Sequence, residues 1–386
     1  MKACCLVSDL APYHEARFAA TAALGDLVVL DVGKGSEVAY DSPDQVRFPI
    51  IKVEQTAMEA KLTEIRPDVL VVPGWGSPIA QQAILWGIRH ACPLVTFSDS
   101  QLEGLPRSFL QDLVKRRLVS VFLAAMVAGA RALRYMQHFG MSEEAIFAGV
   151  DVVDNAHFAQ HAELSATELS NRRQRLELPE RYLFSVNRFV AQKNLSGLIA
   201  AYADYVAAGQ AGGLELVIAG DGELRVELEA QILESGLCGK VHLLGRVSYS
   251  DLPMLYRLAD AFVIASNSHS ETWGLAVNEA MAAACPVLVS NSCGSSEDLV
   301  EDGANGFTFS ADDPAGLSDI FSKIGAQQFD LAALGARAEA KIAQWDIDFF
   351  AAGFWAAVQH AKQRPVAPSF LSKLILRALM FKSKLH

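Results

Sequence analysis

The chain has 386 residues, 51% of them apolar and 20% charged, enough for two α/β domains each with its own core. A net charge of -11 argues against nucleic-acid binding through a general basic surface. Six cysteines without a CxxC pair suit free structural thiols in a reducing cytoplasm rather than disulfides or zinc.

Along the chain, apolar runs at 3–8, 27–32, 69–73, 93–98 and 120–126 read as short buried strands. Helical patterns lie between them, as at 55–65 and 77–90, and this alternation predicts parallel strands joined by crossover helices. The start of the chain lacks the length and cleavage site of a signal peptide, and the longest apolar run, 118–130, is too short to span a bilayer. A polar stretch near 160–180 closing on Leu-Pro marks a boundary. A second series of strands follows at 183–187, 214–220, 241–245, 261–265 and 286–290. The expected domains are 1–170 and 178–345, both Rossmann-like and facing each other across a cleft. A helix at 346–364 then crosses back to the first domain, ahead of a basic tail at 365–386.

The segment ETWGLAVNEAMAAACPVLVS carries the most chemistry. Glu271 and Glu279 stand eight positions apart, between an apolar strand before and another after. A strand–loop–helix step of this kind places the loop at the carboxyl edge of the sheet, where ligands bind. The amides of Thr272, Trp273, Gly274 and Leu275 are expected to open the helix and to attract phosphate. Arg188 and Lys193, five apart on a loop after a strand, are suited to neutralising a diphosphate. Gly220, Asp221 and Gly222 form a tight turn that allows a nucleotide to approach the backbone. Further on, Gly245, Arg246 and Val247 follow another strand. Gly294, Ser295 and Ser296 are candidates to line the cleft, and Asn305–Gly306 reads as a simple turn.

The order of these features over residues 181–310 closely resembles the Glu-x7-Glu pattern of retaining glycosyltransferases with the GT-B fold, in particular family 4. The resemblance implies a nucleoside diphosphate sugar as donor, with Glu279 on the ribose hydroxyls and Glu271 facing the transferred sugar. Arg188, Lys193 and the amides after Glu271 would stabilise the leaving diphosphate, with Gly220 to Gly222, Arg246 and Val247 beside the nucleotide. It implies transfer of a hexose-type sugar to a hydroxyl with retention, without metal or other cofactor, and domain closure that excludes water. The acceptor expected is a glycan or lipid-linked glycan, in polysaccharide or lipid-linked glycan synthesis on the cytoplasmic side.

The first domain departs from the family. Many members carry a histidine after the fourth strand, whereas TFSDSQLEG puts Ser98, Asp99 and Ser100 there. Asp99 and Ser100 are candidates for the sugar or acceptor contact, with capping as the other reading. Trp75, in the turn GWGSP, is placed either to stack on a sugar acceptor or to cover a neighbouring helix. His157 and His161 have i,i+4 spacing but no third ligand, and read as a solvated helix face. The sole D-x-D, Asp346-Ile-Asp348, lies past the nucleotide motifs.

The tail carries Lys362, Arg364, Lys373, Arg377, Lys382 and Lys384 with no acidic residue. Leu371, Leu374, Ile375, Ala378 and Leu379 share one helical face, the composition of a helix resting on an anionic membrane surface; docking onto the protein is the other reading. Residues 107–117 add a second basic patch. Other functions weighed are a catalytically inactive sugar-nucleotide-binding or scaffold protein, an epimerase and a phosphorylase. A nicotinamide dehydrogenase is disfavoured because SDLAPYH stands where GxGxxG is needed.

Overall fold

A computed structural model describes the chain except residues 9, 34–45, 105–107, 210–212, 269, 367–369 and 384–386, with backbone alone at 370 and 379–383. Seven strands form the first sheet: β1 (Lys2–Val7), β2 (Asp26–Asp31), β3 (Ile50–Lys52), β4 (Val69–Val72), β5 (Leu94–Ser98), β6 (Ala124–Val127) and β7 (Ile146–Ala148). Six form the second: β8 (Arg181–Val186), β9 (Leu214–Ala219), β10 (Val241–Gly245), β11 (Ala261–Ile264), β12 (Val287–Ser290) and β13 (Gly306–Phe309). Their orders are β3-β2-β1-β4-β5-β6-β7 and β10-β9-β8-β11-β12-β13, with parallel pairing throughout. Each order runs outward from its first strand and then reverses, so a crevice opens between β1 and β4 in one sheet and between β8 and β11 in the other. Because helices cover both faces, central strands such as β4, β6, β11 and β12 are buried at every residue.

Two compact units result, one of residues 1–153 with 346–386 and one of residues 154–345. The first boundary therefore precedes the expected 170–178. Polar composition there marked a surface helix, not a linker: Ala166–Arg175 starts with a Ser165–Glu168 capping box and buries no residue. The segment before it is tied into the second unit. Asn155 Nδ2 donates to the carbonyls of Ile342 (3.0 Å) and Trp345 (3.4 Å), and the His157 ring stacks on Tyr249 at 4.5 Å. Phe158 is buried with its edge on Tyr256, and Arg173 donates to the Leu258 carbonyl. The pairing of His157 with an aromatic ring replaces the solvated face expected for it, and the helix Asn155–Ala159 ends before His161.

In the first unit the helix Ile347–Lys362 packs along Pro12–Leu24, and Trp355 Nε1 donates to the Thr21 carbonyl at 2.8 Å. Asp346 of the D-x-D accepts the Phe349 amide at 2.8 Å and caps that helix. Asn305–Gly306 is not a simple turn. Asn305 is buried, with its side chain bonded to Glu301 N and Leu299 O, and Gly306 opens β13 where a Cβ would collide with the Val287 carbonyl.

Candidate functional site

The loop leaving β11 carries Glu271 and the loop leaving β8 carries Lys193, and the structure joins the two in an ion pair across the point where the second sheet reverses. Ser266 Oγ donates to the same Glu271 oxygen at 2.9 Å. Lys193 ends the short 3-10 turn Ala191–Lys193, and Asn194, in the left-handed region at φ 51°, donates from its amide to the Ala265 carbonyl at 3.1 Å. Backbone bonds fix the other side of Glu271: its N–H donates to Ser268 O, and its carbonyl accepts from Gly294 N, both at 3.0 Å. Arg188, on the same loop as Lys193, is exposed; its carbonyl accepts from Val190 N at 2.9 Å, and its side chain makes no hydrogen bond or ion pair among the described residues.

Gly274 turns the chain with φ +91°, and the helix it caps begins at Leu275 and runs to Ala282. Thr272 and Trp273 thus precede the helix instead of opening it, because the left-handed residue falls after them. The Trp273 side chain belongs to the core: it is 3% exposed, donates to Asn278 Oδ1 at 2.9 Å and stacks on Trp345 at 5.7 Å. Gly294, Ser295 and Ser296 do not line an open site either. A Cβ on Gly294 would strike the Thr272 carbonyl, while Ser295 and Ser296 are buried and Ser296 Oγ donates to the Cys293 carbonyl.

Glu279 lies on that helix, half-buried, and accepts a 2.7 Å hydrogen bond from Tyr256 Oη. Burial pushes its carboxyl up to about 7, against the opposing pull of the Tyr256 hydrogen bond. Tyr256 is fully buried on the helix Leu252–Leu258, and its phenol is raised well above the ordinary value, by burial first and by Glu279 second. Sequence reasoning missed Tyr256 and Ser266. A tyrosine on a largely apolar helix was a signal for the first; a serine following a buried strand was too common to mark the second.

The remaining turns of this edge are knitted together by the backbone. Gly220 N donates to Gly245 O at 2.7 Å, and Phe189 N donates to Asp221 O at 2.9 Å. Gly220 has φ +125° and no room for a Cβ beside the Asn187 carbonyl, and a Cβ on Gly222 would lie 2.6 Å from Phe189 O. Asp221 accepts the Gly222 amide at 2.9 Å and pairs with Arg225 at 3.7 Å. Arg246 is exposed and Val247 half-buried beside them.

At the corresponding edge of the first unit, a cavity of about 310 Å³ is lined by Asp99, Asp151, Ser98, Tyr13, His14 and Arg17 among others. Arg17 is buried, bonds the Val152 carbonyl through Nε and Nη2, and lies 3.9 Å from Asp151. Asp151 is pushed up to about 6 by burial, partly offset by Arg17 and reinforced by Asp99. Ser98 Oγ is buried without a hydrogen-bond partner among the described residues. Of the residues expected on this side, Asp99 therefore faces the cavity. Ser100 bonds to the Tyr135 hydroxyl, and Trp75 is half-buried and packs on Phe122, in the loop before β6, at 5.9 Å. Among the described residues no group of three or more His, Cys, Asp or Glu is placed to hold a metal ion.

Residues 167–341 match the family model described as glycosyl transferases group 1. An alpha-monoglucosyldiacylglycerol synthase of Streptococcus pneumoniae is 30% identical over 131 residues, 33% of this chain and 29% of that protein. An uncharacterized glycosyltransferase of Methanocaldococcus jannaschii is 37% identical over 127 residues, 33% of this chain and 31% of that protein. The chain thus matches about a third of the length of these curated relatives. Anabaena HepE, solved in complex with UDP, superposes with a TM-score of 0.73 at 19% identity, covering 92% of this chain and 98% of that one. The same protein with UDP-glucose gives 0.71 at 20%, covering 94% and 99%. The chain has the GT-B fold, and its residues 167–341 are similar to the glycosyl transferases group 1.

Proposed function

We propose that the chain is a retaining glycosyltransferase of family 4 that moves a hexose-type sugar from a nucleoside diphosphate sugar to an acceptor hydroxyl. The observation that carries this reading is the Lys193–Glu271 ion pair at the reversal of the second sheet, with Glu279 on the helix that follows. In ligand-free protein the cation and the carboxylate neutralise each other. A bound diphosphate offers Lys193 a second anionic partner, and the exposed Arg188 supplies another charge from the same loop. Glu271 is then left beside the transferred sugar, where its charge stabilises an oxocarbenium-like centre. Ribose hydroxyls donate to the oxygen of Glu279 that Tyr256 does not occupy. These cations and amides carry the leaving-group charge without a metal in the scheme.

UDP-hexoses are the first donors to test, since UDP and UDP-glucose are bound by HepE and a monoglucosyldiacylglycerol synthase is among the relatives. The acceptor is assigned to the first unit, where Asp99, Asp151 and the unpartnered Ser98 hydroxyl offer polar groups for sugar hydroxyls. Its class is a glycan or lipid-linked glycan, used in polysaccharide or lipid-linked glycan synthesis on the cytoplasmic side.

The test is calorimetric titration with UDP-, GDP-, ADP- and TDP-sugars, wild type beside Glu279→Ala. One donor is expected to bind, weakened about tenfold or more in the variant by loss of hydrogen bonds to a charged group. The anomeric configuration of the product, read by NMR, checks retention. Absence of binding by folded protein to every donor would sink the reading.

A further inference from the structure

Two helices of the first unit expose large apolar side chains. On Phe109–Val119, Phe109 is 82%, Leu110 71% and Leu113 41% exposed. On Phe370–Ser383, Leu371 is 43% and Leu374 52% exposed. The second helix is nonetheless docked: Ser372 and Leu376 are fully buried, and Ser372 Oγ lies 3.3 Å from Ser120 Oγ at the end of the first helix. The buried side is therefore not the apolar face read from the sequence, whose Leu371 and Leu374 point outward while Ile375 is half-buried. Lys382 and Lys384 fall outside the described side chains. An apolar ridge that stays exposed on a helix already packed through another face calls for a further partner.

The charge beside the ridge selects that partner. Lys115, Arg116 and Arg117 end the first helix, and Lys373 and Arg377 lie along the second. Lys373 and Arg377 also wall a cavity of about 350 Å³ with Arg89, Glu59, Leu85 and Ile88. The facing carboxylates are Glu59, which pairs with Arg89 at 2.6 Å, and Asp112, 3.5 Å from His138 Nε2. Lys373 and Arg377 make no ion pair among the described residues, so the cavity keeps an excess of positive charge. The net charge of -11 would repel an anionic surface, but charges more than about 8–10 Å away are screened at physiological salt.

We propose that these two helices form one docking surface for an anionic lipid bilayer. The cavity of Arg89, Lys373 and Arg377 receives a headgroup phosphate, while Phe109, Leu110, Leu371 and Leu374 enter the acyl boundary. This deepens the reading above by making the acceptor one that is reached at a membrane surface, yet binding itself needs neither donor nor acceptor.

The full chain is floated with vesicles of phosphatidylcholine, with and without phosphatidylglycerol. Wild type is expected to float with the anionic vesicles alone and to be released by high salt. Lys373→Ala/Arg377→Ala is expected to bind about tenfold more weakly or worse, and Phe109→Glu or Leu110→Glu to lose binding. All replaced side chains are exposed or half-buried, and circular dichroism and thermal melting verify that the variants fold. Wild type left with the supernatant, or variants floating like wild type, overturns the proposal. So does a dimer in sedimentation that Leu110→Glu dissociates, since the ridge is then covered by a second copy. Donor titration of the same samples separates failure of this surface from failure of the glycosyltransferase reading.

Discussion

The Glu271 carboxylate sits between an ammonium and a hydroxyl donor, whereas that of Glu279 is half-buried with one phenol donor. The setting of Glu279 predicts opposite trends with pH for stability and for donor affinity. The folded protein holds Glu279 at about 7 against an ordinary 4.5, so its contribution to stability is complete below 4.5 and is lost as pH rises to 7. Glu279→Gln, which cannot ionise, should be more stable than wild type above pH 7 by about 1–2 kcal/mol and equal to it near pH 4.5, in urea titrations. Donor affinity should run the other way, falling in wild type as pH drops through 7 because ribose hydroxyls need the carboxylate as acceptor. In Glu279→Gln it should be weaker and flat. His14, lowered to about 3 by burial and by Arg17, destabilises the fold as pH falls below 6.5, so only the wild-type-minus-variant difference isolates Glu279. Lys193→Ala strands Glu271 and removes a diphosphate contact, so donor affinity should fall at least tenfold by calorimetry. Glu271, Glu279 and Lys193 were legible because charged groups in fixed order at strand ends have few structural uses. Tyr256 and the cavity of Arg17 and Asp151 were not, since long-range packing brings them together.

At the scale of elements, the loops after β8, β9 and β10 work as one layer because glycines let their backbones touch. Gly220→Ala forces a left-handed alanine and a clash with the Asn187 carbonyl, and should cost about 2 kcal/mol or more in urea denaturation. Gly76→Ala has nothing within 4 Å and an ordinary φ, and should be close to neutral. Strands in the middle of each sheet showed in the sequence as continuous apolar runs. β3, β7 and β13 did not, because runs of three or four residues with half-exposed positions lack that signature. The tail helix was legible in composition but not in orientation, since Ser372 in place of a larger residue is what lets it pack close.

For the whole molecule, the unit of residues 154–345 should fold by itself and bind the donor nucleotide. A fragment starting at 178, where polar composition suggested the boundary, loses Phe158 from its core along with the Asn155 and Arg173 bonds. It should be less stable than the 154–345 fragment by about 3 kcal/mol, measured by chemical denaturation of both. Composition reports solvent exposure, and here the exposed face of a packed helix looked like a linker.

Trp273 and Trp345 are stacked with their ring centres 5.7 Å apart, one of them two residues past Glu271. The transitions of two indoles at that separation couple, so an exciton signal is expected from the loop that bears the candidate carboxylate. Circular dichroism should show a couplet that Trp345→Phe abolishes, and donor titration should change its amplitude, giving a label-free optical readout of loop rearrangement.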